Sequence, residues 1–265
     1  MMTRQTGSFF SDDFVPGLSD FHSWKSLALR DIKTAYRRSY LGILWISMSM
    51  TITLVALSFV YSYLFPVTLS EYLPFLAISY VTWGFISNSL GSSCFVFISK
   101  HTYIKQRPIP LTVYILSNIS MNTFIFLNNM AVALFFVLVI GDGFGWAMLI
   151  LPFSLLLIII TAFAATMILG TMTCRFRDIG QIINSITQLA FFVTPVLWKP
   201  EFLSGRFMIA FANPFYHYIE LIRSPVIDHE IPYASLGITI CLTSVFVVIG
   251  YLIINKKRNV IPFWV

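Results

Sequence analysis

The sequence predicts an all-α integral membrane protein with six transmembrane helices, an N-terminal amphipathic interface helix and two short re-entrant helices before the last span. Three observations predict it. Hydrophobic residues make up 57% of the chain and charged residues only 11%, against about 25% charged in a soluble domain. Six runs carry no charge at all, and each is long enough for the roughly 20 residues that cross a bilayer as a helix. A basic amphipathic stretch, Phe21 to Trp45, leads into the first of them.

Residues 1 to 18 read as a polar lead without periodicity, broken by Pro16-Gly17, and Ser19 is a plausible cap for the helix that follows. No secretory signal peptide is apparent. Set on a helix at about 100° per residue, Phe21, Trp24, Ala28, Ile32, Ala35 and Tyr36 share one stripe, and Arg30, Lys33 and Arg37 share another. That is the pattern of a helix lying in a membrane interface, with rings in the acyl boundary and cations near phosphates. The competing reading is a basic flank that only fixes topology. After Arg38 the charges stop.

The spans run from Tyr40 to Leu64, Pro74 to Ile98, Leu111 to Ile140, Phe144 to Cys174, Ile179 to Trp198 and Pro232 to Asn255. The third and fourth exceed the need and are expected to tilt or extend into the interface. The chain thus divides into an N-terminal segment with its interface helix (1–39), a six-span domain (40–255) and a tail (256–265). Within the domain, 199–230 holds two apolar pieces, Phe202 to Ala212 and Phe215 to Ile222, split by Asn213-Pro214. Each is too short to span. They read as re-entrant helices, because backbone at depth must be satisfied internally, or as helices lying flat on the membrane.

Lysine and arginine set the topology. Six lie in the N-terminal segment, three (Lys100, Lys105, Arg107) after the second span, two (Arg175, Arg177) after the fourth, and three (Lys256, Lys257, Arg258) in the tail. Only Lys199, Arg206 and Arg223 fall on the other side. Both termini are therefore expected in the cytoplasm. The net charge of +6 reflects this bias and calls for no nucleic acid.

Several chemistries are missing. No Gly-Lys pair exists, so there is no P-loop to cradle a nucleotide, and no zinc-protease or Gly-x-Ser-x-Gly motif occurs. The three cysteines lack the spacing of a metal site or disulfide framework. No Asp, Glu, Lys, Arg or His lies near the middle of a span, where ion-coupled transporters and proton pumps carry them. A path whose energy comes from another chain remains. The 26 Phe, 12 Tyr and 6 Trp admit two readings for rings such as Tyr61, Tyr63, Tyr80 and Trp83: an interfacial belt, or a track on which sugar rings stack and slide.

Short matches then line up along the chain: Arg30-Asp31-Ile32-Lys33 with Tyr36-Arg37 and Leu41-Gly42-Ile43-Leu44-Trp45, Ile104-Lys105 with Pro108, Arg175-Phe176-Arg177-Asp178-Ile179, Thr194-Pro195-Val196, and Asn213-Pro214-Phe215-Tyr216 with Glu220 and Arg223. From about residue 20 onward the chain resembles the membrane subunit of ABC-2 type exporters of lipid-linked polysaccharides, and its C-terminus resembles the O-antigen branch more than the capsule branch. The resemblance implies a homodimer in the bacterial inner membrane, paired with two copies of a P-loop ATPase that binds ATP and Mg. This chain would hold no cofactor and be no enzyme. It implies a polysaccharide on undecaprenyl pyrophosphate as substrate. Arg30, Lys33, Arg37 and Arg38 would meet the pyrophosphate. Lys100, His101, Tyr103, Lys105 and Arg107 would lie on a coupling helix against the ATPase. Arg175, Arg177 and Asp178 would lock spans four and five. Tyr61, Tyr63, Trp83, Phe215, Tyr216, Tyr218 and Glu220 would line the sugar path and outer gate. Alternatives are a capsule or teichoic-acid permease, an ABC-2 exporter of a small amphipath, and a membrane scaffold or enzyme.

Overall fold

The structure, a computed structural model, describes residues 8–35, 37, 40–42, 44–64, 67–106, 109–141, 143, 145–200 and 207–265. Tyr36, Arg38, Arg107 and Pro108 lie outside the described residues. All regular structure among the described residues is helical. A turn of π-helix, Phe10–Phe14, runs into α1 (Val15–Ser19) and α2 (Phe21–Ala35). Then come α3 (Leu44–Leu64), α4 (Leu69–Phe95), the short α5 (His101–Gln106) and α6 (Leu111–Ile140). A 3-10 turn, Trp146–Ile150, leads into α7 (Leu151–Arg175), followed by α8 (Asp178–Val193), α9 (Phe207–Phe211), α10 (Pro214–Ile227), α11 (Tyr233–Lys257) and α12 (Ile261–Trp264).

Four of these helices are long and apolar enough to cross a membrane: α3, α6, α7 with its preceding turn, and α11. The expected second and fifth spans differ for physical reasons. Helix α4 has the length, 27 residues, but is enclosed by α3, α6, α7, α8 and α10. It presents little surface to lipid and can carry serines, a threonine and an asparagine. Helix α8 has 16 residues. It stops at Val193 rather than Trp198, because Pro195 disfavours helical backbone at Thr194, which is extended with ψ 137°. Two other boundaries shift. Gly42 takes a left-handed φ of +55°, open to glycine at little cost, so α3 begins at Leu44. Helix α4 begins at Leu69, five residues before Pro74, which sits inside the helix.

Hydrocarbon gives polar groups no partner, and helices in a bundle satisfy them across their contacts. Ser93 and Thr166 join α4 to α7 with hydroxyls 2.6 Å apart. Thr161 and Thr243 join α7 to α11 at 2.7 Å. Asn128 Nδ2 donates to Ser47 Oγ, joining α6 to α3 at 2.7 Å. Helices α7 and α11 approach closely at Gly250, where a Cβ would stand 2.9 Å from the Ala164 carbonyl oxygen.

Where the sequence predicts a polar lead without periodicity, residues from Phe10 to Ser19 are helical and tied into the bundle. Asp13 is 2% exposed and caps α6: its carboxylate accepts from the backbone N–H of Leu111 and Thr112, each at 2.8 Å, and from the Thr112 hydroxyl at 2.7 Å. Asp12 pairs with the buried Arg258 at 3.1 Å, and the Phe9 N–H donates to Asn255 Oδ1 at 2.8 Å. Residues near both ends of the chain therefore clasp at one end of the bundle. Ser19 does not cap α2. Its hydroxyl donates back to Val15 O, and Asp20 takes the role by accepting from the Ser23 N–H at 3.2 Å.

The amphipathic stripe of α2 is divided. Ala28 and Ile32 are buried on the side that packs against α6, whereas Phe21 and Ala35 stay exposed. The middle of the stripe thus meets protein rather than acyl chains. Asp13→Ala leaves two helix-terminal N–H groups and a hydroxyl without their acceptor, and is expected to cost about 2 kcal/mol. Thermal unfolding in detergent should show a lowered midpoint, with Asp13→Asn intermediate; an unchanged midpoint would show that the clasp contributes nothing.

Candidate functional site

A groove of about 1070 Å³ runs along α4, bounded by α3, α6 and α8. Its polar lining comes from carboxamides and hydroxyls: Asn88 on α4, Asn122 and Asn129 on α6, and Asn184 and Gln188 on α8. On α8, Asn184, Gln188 and Phe191 recur at helical spacing and form one stripe. Ser92 is an internal organiser, accepting from Asn118 Nδ2 at 3.1 Å and Asn122 Nδ2 at 2.9 Å. Trp45, Tyr80, Trp83, Phe126, Phe191 and Phe192 supply flat apolar faces between the amides. No charged side chain lies on the wall. A carboxamide both donates and accepts, so the groove suits uncharged, hydroxyl-rich groups and offers no ionic well to hold them.

Trp83 is the sequence-predicted path residue that lines this groove. It is 6% exposed and lies in the middle of α4, not at an outer aromatic belt. Its ring centroid is 5.9 Å from Phe191 and 5.5 Å from Phe215, the latter edge-on. Tyr61 stacks on Tyr72 at 6.0 Å. Tyr63 is 78% exposed, beside Phe59, and does not join the groove.

Phe215, Tyr216, Tyr218 and Glu220 fall on α10, which Asn213 caps by accepting from the Phe215 N–H at 2.9 Å. Here a buried cation organises the end of the bundle away from the chain termini. Arg223 is 3% exposed. It donates to the Pro195 carbonyl at 2.8 Å, to Ser79 Oγ at 3.3 Å and to Glu220, and lies over the Phe75 ring at 4.7 Å and the Tyr216 ring at 5.8 Å. Tyr72 donates to the Leu197 carbonyl at 2.6 Å and Asn213 to Thr194 Oγ1 at 2.8 Å. The turn after α8 is thereby pinned to α4 and α10. His217 is held between the Phe211 carbonyl and the Ser235 hydroxyl. Burial pushes its imidazole below the usual value, against the opposing pull of that carbonyl and of the Glu220 charge.

At the terminal end, two predicted sites meet. Lys100 Nζ contacts both oxygens of Asp31, at 2.5 and 2.7 Å, and Arg30 lies over the Tyr103 ring at 4.8 Å. Helix α2 is thus joined to α5. Lys33 and Arg37 stay exposed, as do His101 and Lys105, while Ile104 anchors α5 in the core. Arg175 lies over Phe176 and Trp264 at 5.9 and 5.8 Å. Arg177 and Asp178 are exposed, and none of Arg175, Arg177 and Asp178 takes part in the ion pairs found among the described residues.

Sequence reasoning missed the carboxamides. The signal was available: Asn and Gln inside charge-free runs are costly in a membrane and mark interior or functional faces. Arg223→Met removes a buried cation and leaves Glu220 without its partner. It is expected to cost roughly 3 kcal/mol, read as a fall in the detergent unfolding midpoint, and Arg223→Lys should recover little because it loses the fork that reaches three acceptors.

Comparison with known proteins fits this geometry. A sequence profile for the ABC-2 type transporter family matches residues 22–227. The chain is 26% identical over 232 residues to an O-antigen export system permease protein RfbA from Klebsiella pneumoniae, covering 86% of this chain and 89% of that protein. It is 27% identical over 221 residues to a Myxococcus xanthus protein of the same name, covering 79% of this chain and 82% of that one. This chain belongs to the ABC-2 type transporter family.

Proposed function

We propose that this chain is the permease subunit of an exporter that moves O-antigen polysaccharide, linked to undecaprenyl pyrophosphate, across the bacterial inner membrane. The observation that carries the reading is the groove of amides and rings without a charged group. A long hydrophilic polymer has to slide, which favours many weak contacts over one deep well. The names of the relatives point to the same substrate class.

The energy comes from a separate ATPase that binds ATP and Mg, since this sequence has no P-loop. Helix α5, with His101 and Lys105 exposed, and with Arg107 beyond it, is the docking element. Its tie to α2 through Lys100 and Asp31 passes ATPase movement to the helix that carries Lys33 and is followed in the sequence by Arg37 and Arg38. Those cations, with Arg30, receive the pyrophosphate at the cytoplasmic surface. Arg175, Arg177 and Asp178 lie where α7 hands over to α8 and act on the cytoplasmic closure. Both termini are cytoplasmic, α4 and α8 complete six spans, and α9 and α10 are re-entrant elements that gate the outer mouth. Asn184 and Gln188 are exposed on α8, and lipid cannot satisfy them. A second copy of the chain covers them and closes the path.

The decisive experiment reconstitutes the chain with its ATPase in vesicles and follows entry of lipid-linked polysaccharide. ATP-dependent transport is expected with both subunits and none with this chain alone; pumping without the ATPase would overturn the reading. Asn184→Leu with Gln188→Leu should lower transport several-fold while leaving membrane insertion intact. Asp31→Lys should uncouple ATP hydrolysis from transport, and adding Lys100→Asp should restore most of it, with a coupling of about 1 kcal/mol between the two positions.

A further inference from the structure

A second cavity lies behind the groove. It measures about 200 Å³ and is walled by α4, α7, α10 and α11. Protein interiors hold few voids larger than a water, and an apolar void of about 150 Å³ stays dry yet admits benzene. This one is larger, and its wall presents apolar surface alone. Water therefore does not fill it. The Ser89 and Tyr218 hydroxyl oxygens, although on wall residues, are sealed from it, each without exposed surface.

The cavity opens where its lining is exposed. Leu242 and Phe246 line it from α11, and Phe246 and Pro214 are its exposed lining residues. Phe246 is 38% exposed and continues into the exposed Val245, Val248, Ile249 and Leu252. These residues are central on a helix long and apolar enough to span the bilayer, so the medium at that mouth is hydrocarbon. The floor is made by Ala162 and Ala165 of α7, small residues that leave the space open. The inner wall is Phe215 and Tyr218 of α10.

We propose that this cavity is a binding site for a segment of one acyl chain of a bilayer phospholipid, entering past the exposed Phe246 of α11. The partition it supports is thin. Phe85 lines both the cavity and the groove, and Phe215 meets Trp83 of the groove edge-on at 5.5 Å. A chain seated here braces the start of α10 from behind and holds Phe215 against Trp83. The site itself stands on the fold; its influence on export rests on the reading of α10 as a gate, so binding and transport are measured separately.

The test uses the full chain with its ATPase in nanodiscs whose phosphatidylethanolamine carries a diazirine midway along one acyl chain. Peptide mapping after illumination is expected to find adducts on the exposed Val248 and Leu252 and also on the enclosed Ser89, Ala165 and Phe215. Ala165→Phe fills the floor and should abolish the enclosed adducts while sparing the exposed ones; Ala162→Leu serves if the larger variant does not fold. Adducts on the exposed face alone in the wild type would overturn the site. Enclosed adducts that disappear on adding undecaprenyl phosphate would assign the cavity to the carrier and overturn the phospholipid. Loss of enclosed adducts with transport unchanged would retain the lipid site and sink its role in gating.

Discussion

Hydrocarbon neither donates nor accepts a hydrogen bond, so each polar side chain within the spans has to be answered from inside the protein. Helix α4 shows how the chain meets that demand. Neighbouring helices enclose it, its Thr82 and Ser93 hydroxyls reach a carbonyl and a hydroxyl, and its wall toward α8 is left open as the groove. Among the helices at the six expected spans, the least apolar, α4, is the one with the most buried residues. Were α4 on the perimeter, Asn88 and Ser92 would face acyl chains and the groove could not exist.

The two ends of the bundle are built by different chemistry. At the terminal end charges are many and mostly exposed, with Asp31 and Lys100 tying α2 to α5 and Asp12 and Arg258 tying the two ends of the chain. At the other end a single buried guanidinium gathers α4, α10 and the turn after α8 around itself. The first arrangement leaves cations available to a headgroup or a partner. The second holds its charge inside and uses every contact to fix α10 and the turn after α8 against α4.

Hydropathy made most of the helices legible, because runs without charge have one physical explanation in a chain this apolar. The split at Asn213-Pro214 also follows from local sequence, whereas α5 comes only with the family resemblance and the expected fifth span runs straight through Thr194-Pro195. What local sequence could not carry was partnership at a distance. Asp13 looks like one more acid in a polar lead until Leu111 and Thr112 are brought to it. Arg258 looks like a tail cation until it is buried against Asp12. Trp83 fits an aromatic belt only if α4 starts at Pro74; five more residues at its front move the ring to mid-helix. The groove was hidden for a related reason. Asn and Gln are scattered over three helices, and only packing shows that they converge.

The clasp between chain ends sets an order on biogenesis. Arg258 lies 246 residues beyond Asp12, with α3 to α11 between them. The contact can therefore close only after α11 has been made and docked against α7. Sealing this side of the bundle thus comes late in assembly, whatever the order in which the inner helices pack.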